Sequence, residues 1–309
     1  MPEAQALVRV TVVGGDLGAG KTSLLNHLLR TTSQPIAVIV NDFGALGIDQ
    51  DLVEHSDGTT IALANGCICC SLADGFASAL RTIADLDDGP ERLVVEASGV
   101  ADPGQIAAYA HAPGLALDSV VVVVDAAAVR ERARDRYVGD VVLRQLHAAD
   151  LLVVNKVDLV SSDELAELHR WLTNAYSGVP RLDTVDARVE PALLLDTPTH
   201  GREHRPSPDH SDTASAYQTW AIEVDAPVCR SRLDEFLAAL PDGVYRAKGI
   251  VRLSDDPDNA VVLHLVGRRR SLERFDRWSD GPSRIVAIGR PGAIDDAWLR
   301  TQLTPDDPE

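Results

Sequence analysis

The sequence predicts an α/β protein: a largely parallel sheet flanked by helices, followed by a small C-terminal α+β domain. Three observations carry this. First, the runs "ALVRVTVVGG", "PIAVIVNDFG", "RLVVEASG", "DSVVVVVDA" and "ADLLVVNKVD" are dominated by valine, leucine and isoleucine and stop at polar or glycine residues. Such near-continuous apolar strands are buried on both faces, as in parallel sheets covered by helices. Second, "KTSLLNHLLR", directly after the first run, spaces its leucines as a helix does. Third, residues 197 to 216 are rich in proline, histidine and acid and lack any apolar period, which marks a linker. The expected organisation is a nucleotide-type domain over 1–196, the linker over 197–216 and the small domain over 217–309.

The first strand runs into "GDLGAGKT" (Gly15 to Thr22), an ungapped match to G-x-x-x-x-G-K-[ST] between a predicted strand and a predicted helix. In such a loop the glycines let the backbone N–H groups from Gly15 through Asp16, Leu17, Gly18, Ala19 and Gly20 turn toward a phosphate. The helix that starts at Lys21 offers the positive end of its dipole to the same anion. Lys21 is placed to reach the β- and γ-phosphates and Thr22 to ligate Mg²⁺, with Ser23 completing the nucleotide-binding set. The alternative, a glycine-rich turn that binds nothing, fits the strand–loop–helix context poorly. The fold class is therefore that of a P-loop NTPase.

The second strand leads into "NDFGALGIDQDLV" (Asn41 to Val53), whose carboxylates and glycines suit a loop facing a γ-phosphate, with Asp42 the candidate hydrolytic residue. The third ends in "VVEASGVADP", which puts Glu96 at a strand end, where a carboxylate holds Mg²⁺ through a water or orients the attacking water. Helix or loop capping is the competing role for Asp42, Glu96 and Ser98. The fifth ends in Asn155-Lys156-Val157-Asp158. A carboxylate at Asp158 accepts hydrogen bonds from guanine N1–H and the 2-amino group. Adenine has no such donor pair and would leave the carboxylate unpaired. Asn155 is suited to bond the loop and the base edge, and the Lys156 stem to cover the purine face. Following a phosphate loop, N-K-x-D favours GTP over ATP. All these polar ends fall on the carboxyl edge of the sheet, where ligands of such folds collect.

Further on, "SSDELAELHRWLTNAY" predicts a helix with a Ser or Asp cap. After the linker, "YQTWAIEV", "VYRAKGIVRLS", "AVVLHLVGR" and "SRIVAIGR" read as strands, and "CRSRLDEFLAAL" and "IDDAWLRTQL" as helices. Cys229, at the start of the first of these helices, reads as structural, and "GRRR" (Gly267 to Arg270) as a solvated strand end.

The chain of 309 residues carries 29 Lys+Arg against 47 Asp+Glu, a formal charge of -18. Nucleic acids and anionic membranes are polyanions, so neither is an expected partner. No segment approaches the 18 apolar residues of a membrane span. The N-terminus lacks the basic start, apolar core and cleavage site of a signal peptide, and no N-terminal docking extension is expected. Of four cysteines, three fall in "NGCICCSLADG", at Cys67, Cys69 and Cys70, which is no disulfide framework. A cytoplasmic location is expected. Thiolates are soft ligands for Zn²⁺, Cu⁺ or Co²⁺. In an extended segment Cys67 and Cys69 share a face and Cys70 opposes them, so convergence requires a turn, which "NG" offers. Packing as buried small hydrophobes and redox chemistry as a dithiol are the competing roles of the cluster.

Together, "GDLGAGKTSLLNHLL", "NDFGALGID", "NGCICCSL", "EASGVADP", "NKVDLV" and "YRAKGIV" resemble the CobW-like family of P-loop GTPases, relatives of the nickel-enzyme maturation GTPases, in family order over nearly the whole chain. The resemblance implies a cytoplasmic GTPase that handles or delivers Zn²⁺ or Co²⁺ to a client metalloprotein. It implies transition-metal binding at Cys67, Cys69 and Cys70 and GTP binding at Gly15–Thr22 and Asn155–Asp158. It also lends roles in Mg²⁺ binding or hydrolysis to Asp42 and Glu96. The chain departs from the family pattern in three places. Asp16 stands where members usually have an aromatic residue, and its charge opposes phosphate unless directed elsewhere. Ala45 stands where members often have an acid. The linker has His200, His204 and His210 in place of a long histidine tract, and reads first as solvated. A metal reservoir that binds GTP without productive hydrolysis and a P-loop small-molecule kinase are the rival functions.

Overall fold

The computed structural model describes residues 7–32, 36–40, 83, 90–195, 218–241, 243–256, 260–275, 282–295, 298 and 302–303. The chain divides into two compact units, Met1–Asp196 and Thr197–Glu309.

In the first unit the apolar runs form strands β1 (Val8–Gly14), β2 (Ala37–Val40), β3 (Arg92–Glu96), β4 (Leu115–Asp125) and β5 (Leu151–Asn155), joined by a short β6 (Arg181–Asp183). They make one sheet in the order β2-β3-β1-β4-β5-β6, and every pairing is parallel. Helices α1 (Lys21–Thr31), α2 (Pro103–Tyr109), α3 (Val129–Arg132), α4 (Gly139–Ala148), α5 (Ser162–Ala175) and α6 (Pro191–Leu194) accompany it. β3 and β5 are buried along their whole length, as two-sided coverage requires. Strand valines and leucines pack with Ile106 of α2, Val142 and Leu146 of α4, and Leu168 and Leu172 of α5 in one core. Each such side chain stabilises the fold by about 1.5–3 kcal/mol. The expected serine cap is present: Ser161 and Glu164 form a reciprocal capping box at the start of α5.

Register then aligns the chemistry. Val13 pairs with Glu96 and Gly14 with Val122, and Asp125 pairs with Asn155. The carboxyl ends of β3, β1, β4 and β5 therefore lie side by side. The approach of β1 to β4 at this edge is close enough to exclude a side chain. A Cβ on Gly15, whose φ is +133°, would lie 2.2 Å from the carbonyl oxygen of Val123.

The second unit is a five-stranded antiparallel sheet in the order β10-β9-β8-β11-β7. Its strands are β7 (Gln218–Val224), β8 (Val244–Arg252), β9 (Ala260–Val266), β10 (Arg269–Phe275) and β11 (Ser283–Gly289). β7 alternates exposed and buried residues, as a sheet with one covered face does. Helix α7 (Arg230–Ala239) buries Leu233, Phe236 and Leu237, which share a core with Trp220, Ile222, Leu263 and Ile285. Two local expectations are corrected. "GRRR" is a hairpin rather than a strand end: Gly267, at φ +55°, and Arg268 form the turn, and Arg269 pairs back to Val266, a glycine-first two-residue loop. Cys229 is exposed at the N-cap of α7 rather than part of the core. Its thiol lies 3.3 Å from the Ser231 hydroxyl, which with the Arg232 backbone N–H lowers its pKa. Among the described residues no helix is long and apolar enough to cross a membrane.

Replacing Gly15 with alanine is expected to destabilise the first unit by on the order of 3 kcal/mol, through overlap with Val123 and a disfavoured backbone angle. Urea unfolding checks this; an unchanged midpoint would mean that the two strand ends can separate at no cost.

Candidate functional site

The loop between β1 and α1 has the backbone its glycines allow: Gly15, Gly18 and Gly20 adopt φ of +133°, +74° and +109°. α1 has no acidic residue in its first turn and no N-cap side-chain hydrogen bond, so neither a capping side chain nor an acid of its own competes with an anion for the positive end of its dipole. Lys21 is 7% exposed, and its ammonium donates to the carbonyls of Gly15 at 2.9 Å and Asp16 at 3.1 Å. Leu17 and Ser23 are exposed and Ala19 is buried. The Thr22 hydroxyl donates to Glu96 Oε1 at 3.1 Å across 74 residues of sequence. The two residues predicted for Mg²⁺ are thus brought together. Asp102 caps α2, accepting the Gly104 N–H.

The segment after Glu96 is held from two sides. The Gln145 amide, buried on α4, donates to the carbonyls of Gly99 and Ala101, both at 2.9 Å. A Cβ on Gly99 would meet Leu17 at 2.6 Å, so the glycine lets this segment lie directly on the phosphate loop.

The base-side motif is joined to the same loop. Asn155 is 2% exposed; its amide nitrogen donates to the Ala19 carbonyl at 2.9 Å, and its amide oxygen accepts the Ala187 N–H at 2.8 Å. Lys156 adopts φ +62°, and its ammonium meets Asp125 Oδ2 at 2.6 Å. The other oxygen of Asp125 accepts the N–H groups of Ala127 and Ala128. Asp158 is exposed on the short 3₁₀ turn Val157–Leu159. Beside it lies the turn after β6. There Thr184 donates its hydroxyl to the Arg188 carbonyl, and Asp186 and Ala187 adopt φ of +53° and +54°.

Sequence reasoning missed the 184–188 turn, Asp125, Gln145 and Arg132. Only Asp125 left a signal, as the acid that ends the valine run of β4. Asp16, whose charge opposes phosphate, is paired with Arg132, whose Nε and Nη2 each donate to one carboxylate oxygen. Asp42, Ala45, Cys67, Cys69, Cys70, His200, His204 and His210 lie outside the described residues. Among the described residues no group of histidine, cysteine or acid side chains is arranged to hold a metal ion.

Two family descriptions match the chain: "CobW/HypB/UreG, nucleotide-binding domain" over residues 9–182 and "Cobalamin synthesis protein cobW C-terminal domain" over 217–304. Among curated relatives, the zinc chaperone YjiA of Escherichia coli K12 is 30% identical, covering 91% of this chain and 94% of its own. The zinc chaperone CobW of a Sinorhizobium species is 28% identical, covering 97% of each. Among solved structures, Zn(II)-bound YjiA GTPase from E. coli is 24% identical with a TM-score of 0.48, covering 96% of this chain and 98% of its own.

Asn155→Ala is expected to leave the Ala19 carbonyl and the Ala187 N–H buried without their shared partner, at a cost of about 1–3 kcal/mol. Hydrogen exchange at the Ala187 amide should accelerate accordingly. Unchanged protection there would show that the 184–188 turn holds its shape without Asn155.

Proposed function

The chain belongs to the CobW/HypB/UreG family, and on that premise we propose that it is a GTP-hydrolysing zinc chaperone. It binds GTP between Gly15–Thr22 and Asn155–Asp158, carries Zn²⁺ on Cys67, Cys69 and Cys70, and couples nucleotide state to transfer of that ion to a client metalloprotein. One observation supports the nucleotide part above the rest: the Asn155 amide holds the phosphate loop at Ala19 and the turn at Ala187 together. A base-reading motif and a phosphate cradle tied by one side chain form a single cleft for one nucleotide. Asp158, exposed beside that turn, is available to guanine N1–H and the 2-amino group, and its preference for guanine follows from the donor pair adenine lacks.

Thr22 and Glu96 supply the hard oxygen donors that suit Mg²⁺, an ion that keeps several of its own waters. They meet at a buried strand end beside Lys21, so this donor set fits that ion. Bound there, Mg²⁺ would neutralise charge on the phosphates. Lys21, steadied by two loop carbonyls, is the cation that exchanges those contacts for phosphate oxygens. Gln145 fixes the peptides at Gly99 and Ala101, which keeps the segment after Glu96 oriented toward the loop. Asp42 is the second hydrolytic candidate.

The zinc assignment rests on the cysteine spacing and on the names carried by the relatives. Three thiolates leave a fourth position for water or a client ligand, which favours transfer over storage. Linkage makes any coupling reciprocal: if GTP tightens zinc binding by some factor, zinc tightens GTP binding by the same factor.

Three measurements test this. GTP should displace a fluorescent guanine nucleotide at concentrations where ATP does not; displacement by ATP in preference to GTP would favour the kinase. Lys21→Ala should abolish measurable turnover while the chain still unfolds cooperatively in urea; normal turnover would remove Lys21 from its role. GTP affinity measured with and without Zn²⁺ should differ, and the difference should vanish when Cys67, Cys69 and Cys70 are replaced by serine. Identical affinities in the parent, with normal single-turnover hydrolysis, would reduce the protein to a GTPase without metal coupling. Binding without hydrolysis would indicate the reservoir.

A further inference from the structure

We propose that Arg132 is a positioning residue for nucleotide binding: its guanidinium draws the Asp16 carboxylate away from the phosphate cradle and cancels its charge. The inference rests on the reading that this loop binds a guanine nucleotide.

A carboxylate in a phosphate-binding loop is a conflict of like charges. Asp16 is the loop's second residue, and its two oxygen-bearing groups point to different partners. Its backbone carbonyl accepts from the Lys21 ammonium at 3.1 Å, while its carboxylate meets Arg132. The Arg132 contact is two-pronged: Nη2 reaches Oδ1 at 2.9 Å and Nε reaches Oδ2. Parallel charge-assisted bonds of this kind fix orientation as well as charge. The pair is half-buried, with the Asp16 side chain 18% exposed and that of Arg132 38%. The hydrogen bond to Asp16 holds the Arg132 pKa above its usual value despite partial desolvation.

The placement of Arg132 is itself built in. Asp125 closes β4 and takes the N–H groups of Ala127 and Ala128 on one oxygen, which holds the turn that leads into α3. Val129, 6% exposed, anchors that turn in the core, and the Arg132 N–H bonds the Ala128 carbonyl at 3.0 Å. The end of β4 thus delivers a cation under the phosphate loop. Beneath the pair is a cavity of about 50 Å³ lined by Asp16, Val123, Val129, Arg132 and Gln145, among others; Arg132 is the only cationic side chain among the described residues lining it. Without its guanidinium that space would admit water. The carboxylate would then act on the bound phosphates from within about one Debye length, ~8 Å at physiological salt.

GDP affinity, measured with the full chain and Mg²⁺ by fluorescent-nucleotide displacement, tests this. Arg132→Met keeps the stem and removes the charge; it is expected to weaken GDP binding roughly tenfold. The double variant Asp16→Asn/Arg132→Met is expected to recover most of that loss. Raising the salt to about 1 M, where the screening length falls to ~3 Å, should shrink the Arg132→Met penalty, as a purely structural defect would not. Arg132→Lys, which keeps the charge and loses the fork, should fall between parent and Arg132→Met, and serves as the test if the methionine variant does not fold. Parent-like affinity in Arg132→Met, no recovery in the double variant, a penalty insensitive to salt, or a lysine variant as weak as methionine each overturns the proposal while leaving the GTP assignment intact. A parent chain that binds no guanine nucleotide overturns both.

Discussion

One buried amide holds the site together. Asn155 uses its nitrogen on the phosphate loop and its oxygen on the turn after β6, so two loops from opposite sides of β5 take positions relative to the same side chain. The fit on the loop side is tight. A Cβ on Gly20 would lie 2.4 Å from the Asn155 amide nitrogen, so the glycine is required by the asparagine as much as by the phosphate-loop backbone. This works because Asn155 ends a wholly buried strand. The parallel sheet fixes its position, and the absence of competing water makes both hydrogen bonds costly to break.

The strands and the phosphate loop were readable because their signals are local. Apolar runs declare themselves in a few residues, and the glycines and Lys21 of the loop sit within one octet. What escaped is non-local or disguised. β6 is three residues long with only Leu182 buried, too short to show a period, and the 184–188 turn was lost with it. β10 reads "RRSLERF"; it is an edge strand, and edges carry charge that blunts pairing with other chains, which erases an apolar pattern. In α4 a fully buried position is occupied by Gln145, a polar residue whose role emerges only when Gly99 and Ala101 come within reach. Asp16 looked unfavourable because its partner lies 116 residues away. The cysteine cluster was the most conspicuous feature of the sequence, and it lies outside the described residues.

Charge pairing at the sheet edge shows how an acidic chain can accommodate an anionic ligand. A net charge of -18 says little about a cleft whose side chains are paired within a few ångströms, because exposed charges beyond about 8 Å are largely screened. Here Arg132 is committed to Asp16 and Lys156 to Asp125. The carboxylates that would otherwise face a polyphosphate are neutralised in place. Lys21 donates to two backbone carbonyls, neutral acceptors that a phosphate oxygen can outcompete, since a charged acceptor makes the stronger bond. Glu96 stands beside Thr22, where a divalent cation would give its charge a use. Repulsion is therefore removed residue by residue. Asp125 contributes twice, bonding the base-side lysine through one oxygen and starting the turn that carries Arg132 through the other. The Asp16–Arg132 pair and Lys156 thus depend on the same strand terminus, and a change at the end of β4 would reach both.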